Sequence, residues 1–186
     1  LVWEARYNNT LNSHDYANAI AIDSSGNIYV TGYSGHSNMF YKYTTVKYNQ
    51  SGIQQWVREF STFCDAQAIS IAVDTDKNVT VTGLIDYQLP EQKNYLTIKY
   101  DTAGNQLWAK EFNRVLANQT GANDIPFDIK IDNKNYVIVI GTSIVKYDPN
   151  GNYQWSDSIS PGYSSALDDQ NNLYVVGGRA DTNQFR

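Results

Sequence analysis

Short apolar runs of alternating large and small residues, separated by polar turns, recur along the whole chain in one fixed order. The first block of the pattern is an apolar run, an Asp, a polar turn, a second apolar run and a Gly, as in Ala19-Ile20-Ala21-Ile22-Asp23-Ser24-Ser25-Gly26-Asn27-Ile28-Tyr29-Val30-Thr31-Gly32. Copies run from Ser70 to Gly83, Asp128 to Gly141 and Ser164 to Gly177, and in each the Asp and the Gly stand nine positions apart. A second block, Val46-Lys47-Tyr48-Asn49-Gln50-Ser51-Gly52-Ile53-Gln54-Gln55-Trp56, returns at Ile98 to Trp108 and Val145 to Trp155, and its tail alone opens the chain at Leu1 to Tyr7. All four tryptophans fall at the same position of this block. Each block predicts a β-hairpin: the flanking runs are β-branched and aromatic, and the turns combine Asx side chains with a Gly or Asn that tolerates positive φ. No stretch keeps a helical apolar period, so helix is expected to be almost absent.

Two hairpins per module make four strands, here called a to d, repeating at roughly 50 residues, the period of a propeller blade. Immediately before the turn Asp stand Ile22, Val73, Ile131 and Leu167, and one residue earlier stand Ala21, Ala72, Lys130 and Ala166. Strand faces alternate, so strand a turns large residues to one side and small ones to the other, as innermost strands packed between two neighbours require. The tryptophan of strand d is expected near the perimeter, filling the gap to an adjacent blade, with an N–H that needs an acceptor.

Composition narrows the function classes. With 186 residues and 41% apolar content the chain can bury a core, and its net charge of −5 without a basic run argues against nucleic acid. A single cysteine, Cys64, excludes an internal disulfide framework and a cysteine-based zinc site. No apolar stretch is long enough to span a membrane as a helix. The opening Leu1-Val2-Trp3, without a methionine or a signal peptide, suggests a mature or excised portion of a protein.

The segments Ala19 to Gly32 and Lys-Tyr-Asp-x-x-Gly-x-x-x-Trp resemble the bacterial and archaeal β-propeller repeat known as the SBBP repeat, and the likeness runs over nearly the whole chain. Asp101-Thr102-Ala103-Gly104-Asn105-Gln106-Leu107-Trp108 approaches the tryptophan-docking repeats of quinoprotein dehydrogenases but is one residue shorter between Asp and Gly, which weakens that reading. The SBBP resemblance implies a scaffold common in secreted and surface proteins, with no catalytic residues and no cofactor to carry over.

The expected fold is therefore an all-β propeller of four-stranded antiparallel blades, with about four repeats: 14–60, 64–112, 123–159, and 161–186 completed by 1–7. This describes either a small ring, closed by Leu1 to Tyr7 as strand d and Thr182 to Arg186 as a stunted strand c, or part of a larger propeller; the truncated last module favours the part. The a–b and c–d turns lie on one side of such an array. The other side carries the variable links Tyr33 to Tyr43, Leu84 to Tyr95, Phe60 to Gln67 and Asn113 to Asp124, where recognition is expected. Tyr33, His36, Phe40, Tyr41, Phe63, Tyr87 and Tyr95 would give that side an aromatic character suited to a carbohydrate or protein surface. Asp128 and Lys130 interrupt the small-residue face of strand a and are candidates for a polar contact at the axis or in the seam beside it.

Other chemistry is thinner. Asp74-Thr75-Asp76-Lys77-Asn78 begins like a calcium loop but lacks its Gly and terminal Glu, so a β-turn is expected and no metal. Asp168-Asp169 reads as a turn pair, His14 and His36 as surface residues, and Cys64 as an inert thiol. The Asn-x-Ser/Thr triplets at Asn8, Asn49, Asn78 and Asn118 are what an Asn- and Thr-rich chain produces by composition. The leading expectation is a non-catalytic extracellular or cell-surface module for binding, adhesion or spacing, with self-association through the incomplete terminal blade as a further option. The alternative is a fragment of a larger propeller enzyme, quinone-dependent or polysaccharide-active, whose catalytic residues lie outside this chain.

Overall fold

The computed structural model describes residues 3–35, 40–61, 63–87, 93–114, 123–157 and 161–178. Within them the chain forms strands and turns and no helix. Blade 1 consists of β1 (Asp15–Ile22), β2 (Ile28–Gly35), β3 (Tyr41–Tyr48) and β4 (Gln54–Phe60). Blade 2 consists of β5 (Asp65–Val73), β6 (Val79–Asp86), β7 (Lys93–Tyr100) and β8 (Gln106–Phe112). Blade 3 is built from β9 (Pro126–Ile131), β10 (Val137–Gly141), β11 (Ile144–Tyr147) and β12 (Tyr153–Asp157), and β13 (Ser164–Leu167) with β14 (Leu173–Val176) begins a fourth. In blades 1 to 3 each strand pairs antiparallel with the next one in sequence, whereas β13 and β14 form a sheet of two strands among the described residues. Residues 3–7 are not part of that last sheet, so the described strands do not close a ring.

The turns form as the sequence pattern dictates. In the first, Asp23 Oδ1 accepts the amides of Ser25 and Asn27 at 2.8 and 2.9 Å, and Oδ2 accepts Asn27 Nδ2 and the Tyr29 hydroxyl at 2.8 and 3.1 Å. Asp74 does the same with Asp76 and Asn78 and pairs with Lys99 Nζ at 2.7 Å, so the Asp74 to Asn78 segment is a turn with its carboxylate occupied. Asp168 organises the last turn in the same way, with Gln170 and Asn172 as donors. The fourth residue of each turn has positive φ: Gly26, Gly52, Gly104 and Gly151 in four of them, Lys77, Asn135 and Asn171 in the others.

The alternation on strand a is resolved by packing between blades. Ala19 and Ala21 of β1 pack on the core shared with blade 2, and Ala72 of β5 packs on the core shared with blade 3; Val73 and Ile131 fill the seams toward the preceding blades. Small residues thus face the following blade and large ones the preceding blade. Bulges between Ala17 and Ala19 and between Ala68 and Ser70 bring strand a close to the Gly that ends each first block. A side chain at Gly83 would collide with the Gln67 carbonyl oxygen and the Tyr43 hydroxyl, which is why the repeat demands Gly there.

The tryptophans of strand d lock the seams. Trp56 Nε1 donates to the Thr102 carbonyl of blade 2 at 3.2 Å, and the ring lies between Tyr29 and Tyr100; Trp108 Nε1 donates to the Pro149 carbonyl of blade 3 at 3.1 Å beside Tyr147. Two tyrosines of strand c reinforce them. Tyr43 donates to the Leu96 carbonyl at 3.0 Å, and Tyr95 donates to the Ser143 carbonyl at 2.9 Å while accepting the Ser143 amide at 2.8 Å.

The strands run further toward the variable side than the turn residues suggest. Tyr33 and Tyr41 stand on β2 and β3 rather than in a loop, and Tyr95 lies inside β7 and is fully buried. Tyr95 is therefore a seam residue and not a surface contact, because its ring reaches into blade 3 and its hydroxyl is bonded there.

Candidate functional site

Four rings gather where blade 1 meets the variable side. Cross-strand pairing sets Tyr16 of β1 opposite Tyr33 of β2, and Gly35 opposite Tyr41 of β3. Directly opposed residues share a face, so the rings meet: Tyr16 and Tyr33 stack with centroids 4.8 Å apart and planes 27° apart. Tyr41 stands edge-on to both, at 4.9 Å from Tyr33 and 6.2 Å from Tyr16. His14, exposed, extends the stack at 6.3 Å from Tyr16 with planes 17° apart. Tyr16 is also exposed, while Tyr33 and Tyr41 are half-buried beneath it. Burial first, then the neighbouring Tyr16 and Tyr41, push the Tyr33 hydroxyl above its ordinary value, so it keeps its proton at neutral pH and can donate a hydrogen bond.

The support under these rings is rigid. Asn9 Nδ2 donates to Asp15 Oδ1 at 2.9 Å and to the Gly35 carbonyl at 3.2 Å, and the Asn9 amide donates to Asp15 Oδ2 at 3.1 Å. The Gly35 amide donates to the His14 carbonyl at 2.8 Å, and the Tyr41 amide to Asp65 Oδ1 at 2.7 Å. The bonds of Asn9 and Gly35 join the segment before β1 to the end of β2, and the Tyr41–Asp65 bond joins the start of β3 to β5 of blade 2. The rings are positioned by the sheet rather than by a free loop.

The remaining expected contacts are dispersed. Phe40 is half-buried next to Tyr41, and Phe63 is exposed on the link from blade 1 to blade 2. Tyr87 directs its hydroxyl to both carboxylate oxygens of Glu111 at 2.9 Å; burial and then this bond push it up to about 12. Asp128 accepts the Ser165 amide and hydroxyl at 3.0 and 2.9 Å and pairs with Lys130 at 2.9 Å, which places both residues in the seam between blades 3 and 4. His36 lies outside the described residues. Sequence reasoning missed Tyr16 and treated His14 as surface alone. Tyr16 lies within the expected first blade, 14–60, but ahead of the repeat block that begins at Ala19, and the bulge after Ala17 hides its pairing with Tyr33.

Two polar clusters compete with the rings and both are occupied by the fold. Asp124, wholly buried, accepts the Arg114 amide at 2.6 Å, and burial raises its carboxyl. Asp15 holds the same position in blade 1, eight residues before the turn Asp, and likewise caps a backbone N–H, that of Asn9, ahead of the first strand. The cleft at the turn side is lined by Asp74, Asp132, Asp168 and Asp169, of which the first three already organise their own turns. Among the described residues no three His, Cys, Asp or Glu side chains are grouped to hold a metal ion. No helix among them is long and apolar enough to cross a membrane.

Comparison with known proteins adds one match. Residues 5–38 fit the family model described as SBBP: Beta-propeller repeat, a span that includes all of β1 and β2. No curated protein matches the chain.

Proposed function

For a chain that carries the SBBP β-propeller repeat, we propose a non-catalytic, extracellular or cell-surface binding module whose ligand is a neutral carbohydrate. The observation that carries this reading is the ring platform of Tyr16, Tyr33 and Tyr41 with His14, part exposed and part held from behind. Sugar rings present C–H faces that pack on aromatic planes, and their hydroxyls need uncharged donors and acceptors at the edge of such a platform. The tyrosine hydroxyls and the His14 ring supply these. A rigid platform also loses little side-chain freedom on binding, the cost that weakens loop-borne sites.

Calorimetric titration of the intact chain with cello-, xylo-, chito- and malto-oligosaccharides tests it. One of these series is expected to bind, and Tyr16→Ala and Tyr33→Ala are each expected to weaken that binding about tenfold, the effect of losing an aromatic anchor. Tyr153→Ala, an exposed tyrosine of blade 3, should leave it unchanged. Absence of binding to all four series, or equal binding by the Tyr16 and Tyr33 variants, overturns the reading.

A further inference from the structure

The turns that join strands c and d in blades 1 to 3 share one set of bonds. Asn49, Asp101 and Asp148 open them, and the Oδ1 of each accepts the amides two and four residues ahead. The fourth residue is Gly52, Gly104 or Gly151, at φ of 76°, 83° and 80°, where any other side chain is strained. Gly151 is required a second time, because a Cβ there would lie 2.7 Å from the ring of Trp108 of blade 2. The third residue is under no such demand. It is Ser51, Ala103 or Asn150, and Asn150 is exposed.

The fixed glycine and the free position before it make Asn150-Gly151 the one Asn-Gly pair in the sequence. Glycine leaves the amide nitrogen that follows the asparagine unshielded, so this nitrogen can reach the side-chain carbonyl carbon and close a succinimide ring. Other turn asparagines are held away from that reaction: Asn27, Asn105 and Asn152 each donate Nδ2 to their turn Asp at 2.8 Å. The Asn150 backbone amide is bonded to Asp148 at 2.9 Å, but its side chain has no hydrogen-bond partner among the described residues.

We propose that Asn150 is a modification site, converted without an enzyme to aspartate and isoaspartate, and that the isoaspartate form loosens the seam between blades 2 and 3. A solvent base takes the Gly151 amide proton, the nitrogen bonds to Asn150 Cγ, and the Cγ–Nδ2 bond breaks as ammonia leaves with a proton from water. Water then opens the succinimide. Attack at Cγ breaks its bond to the Gly151 nitrogen and gives aspartate. Attack at the backbone carbonyl carbon breaks the other bond to that nitrogen and gives isoaspartate, with the chain running through Cβ and Cγ.

The two products meet the neighbouring blade differently. Aspartate keeps the backbone path, in which the Gly151 amide donates to the Asp148 carbonyl at 3.0 Å. Isoaspartate lengthens the path between the Pro149 carbonyl, which accepts Trp108 Nε1 at 3.1 Å, and Gly151, on which the Trp108 ring rests. The added atom lies between the two contacts of Trp108, so both cannot keep their positions. The bonds of Tyr95 to Ser143, elsewhere in the same seam, do not involve this turn. The Trp108 contacts also restrain the unmodified turn, so the attack waits on local opening.

Peptide mapping by mass spectrometry, on the full chain kept in mildly alkaline buffer, tests this without any carbohydrate. The peptide that holds Asn150 is expected to gain the mass of an amide nitrogen replaced by oxygen, in two forms with isoaspartate in excess, while peptides that hold Asn27 and Asn105 stay unchanged. Asn150→Ser, which places there the residue that blade 1 has, should abolish the gain and keep the wild-type circular dichroism. Trp108→Phe leaves a ring on Gly151 but removes the donor to Pro149, so conversion should run several-fold faster. Urea below the unfolding transition should speed conversion of the wild type in the same way, whether or not that variant folds. The isoaspartyl form, isolated by chromatography, should exchange amide protons over residues 148–152 faster than freshly prepared Asn150→Asp, with β7 unchanged. Three results would overturn the proposal: no conversion in the folded chain over a time in which the urea-unfolded chain converts fully, equal conversion at Asn27 or Asn105, or an isoaspartyl form that exchanges like Asn150→Asp.

Discussion

A few side chains of the turns carry much of the local order. Asp101, Asp148 and Asp168 have carboxyls held below their ordinary value, first by the side-chain amides of Asn105, Asn152 and Asn172 and with them by turn N–H groups. A carboxylate whose folded value is depressed contributes stability that is complete above its unfolded value, near 3.8, and that is lost as pH falls through the lower folded value. Urea midpoints should accordingly be flat from neutral pH down to about 5 and should fall below about 4. Asn105→Ala should lower the midpoint at neutral pH and make the acid branch shallower; an unchanged acid branch would show that this turn is not what titrates.

At the scale of the strand, identical sequence positions do different work according to what covers them. Trp56 and Trp108 are each 8% exposed and bonded across a seam, whereas Trp155 is 43% exposed. Replacing Trp56 or Trp108 by Ala should cost about 3–5 kcal/mol, the range for deleting a buried large aromatic. Trp155→Ala should cost less than half as much. Equal losses measured by chemical denaturation at the three sites would mean that the seam bond and burial do not determine the contribution. Tyr95 and Tyr87 differ in the same sense: one hydroxyl is bonded inside the next blade, the other to Glu111 of its own blade.

Over the whole molecule the blades touch mainly their neighbours in sequence, so stability is close to a sum of blade and seam contributions. The last seam depends on few groups. Asp128 joins β9 to β13 through Ser165, where blade 1 has Ala19 packed on the core shared with blade 2 and blade 2 has Ser70. Asp128→Ala should therefore release amide protons of β13 and β14 to hydrogen exchange while blades 1 and 2 keep theirs. Loss of protection throughout the chain would show instead that the array unfolds as one unit.

The repeat itself was legible in the sequence. The nine-residue interval from Asp to Gly is a local requirement: the Asp must accept turn amides, and the Gly must pass close to the strand-a backbone. The large and small faces of strand a were legible too, because alternation is a property of the strand, although only packing decided that Ile71 looks back and Ala72 looks forward. The candidate site was half legible. Tyr33 and Tyr41 are aromatic positions near a predicted variable link, but Tyr16 joins them through a register set by the bulge after Ala17, and Tyr95 leaves the set because a neighbouring blade covers it. Turn chemistry and strand period depend on residues a few positions apart and are written in the sequence. Which ring is exposed and which seam holds Asp128 depend on the placement of other blades, and only the tertiary structure decides them.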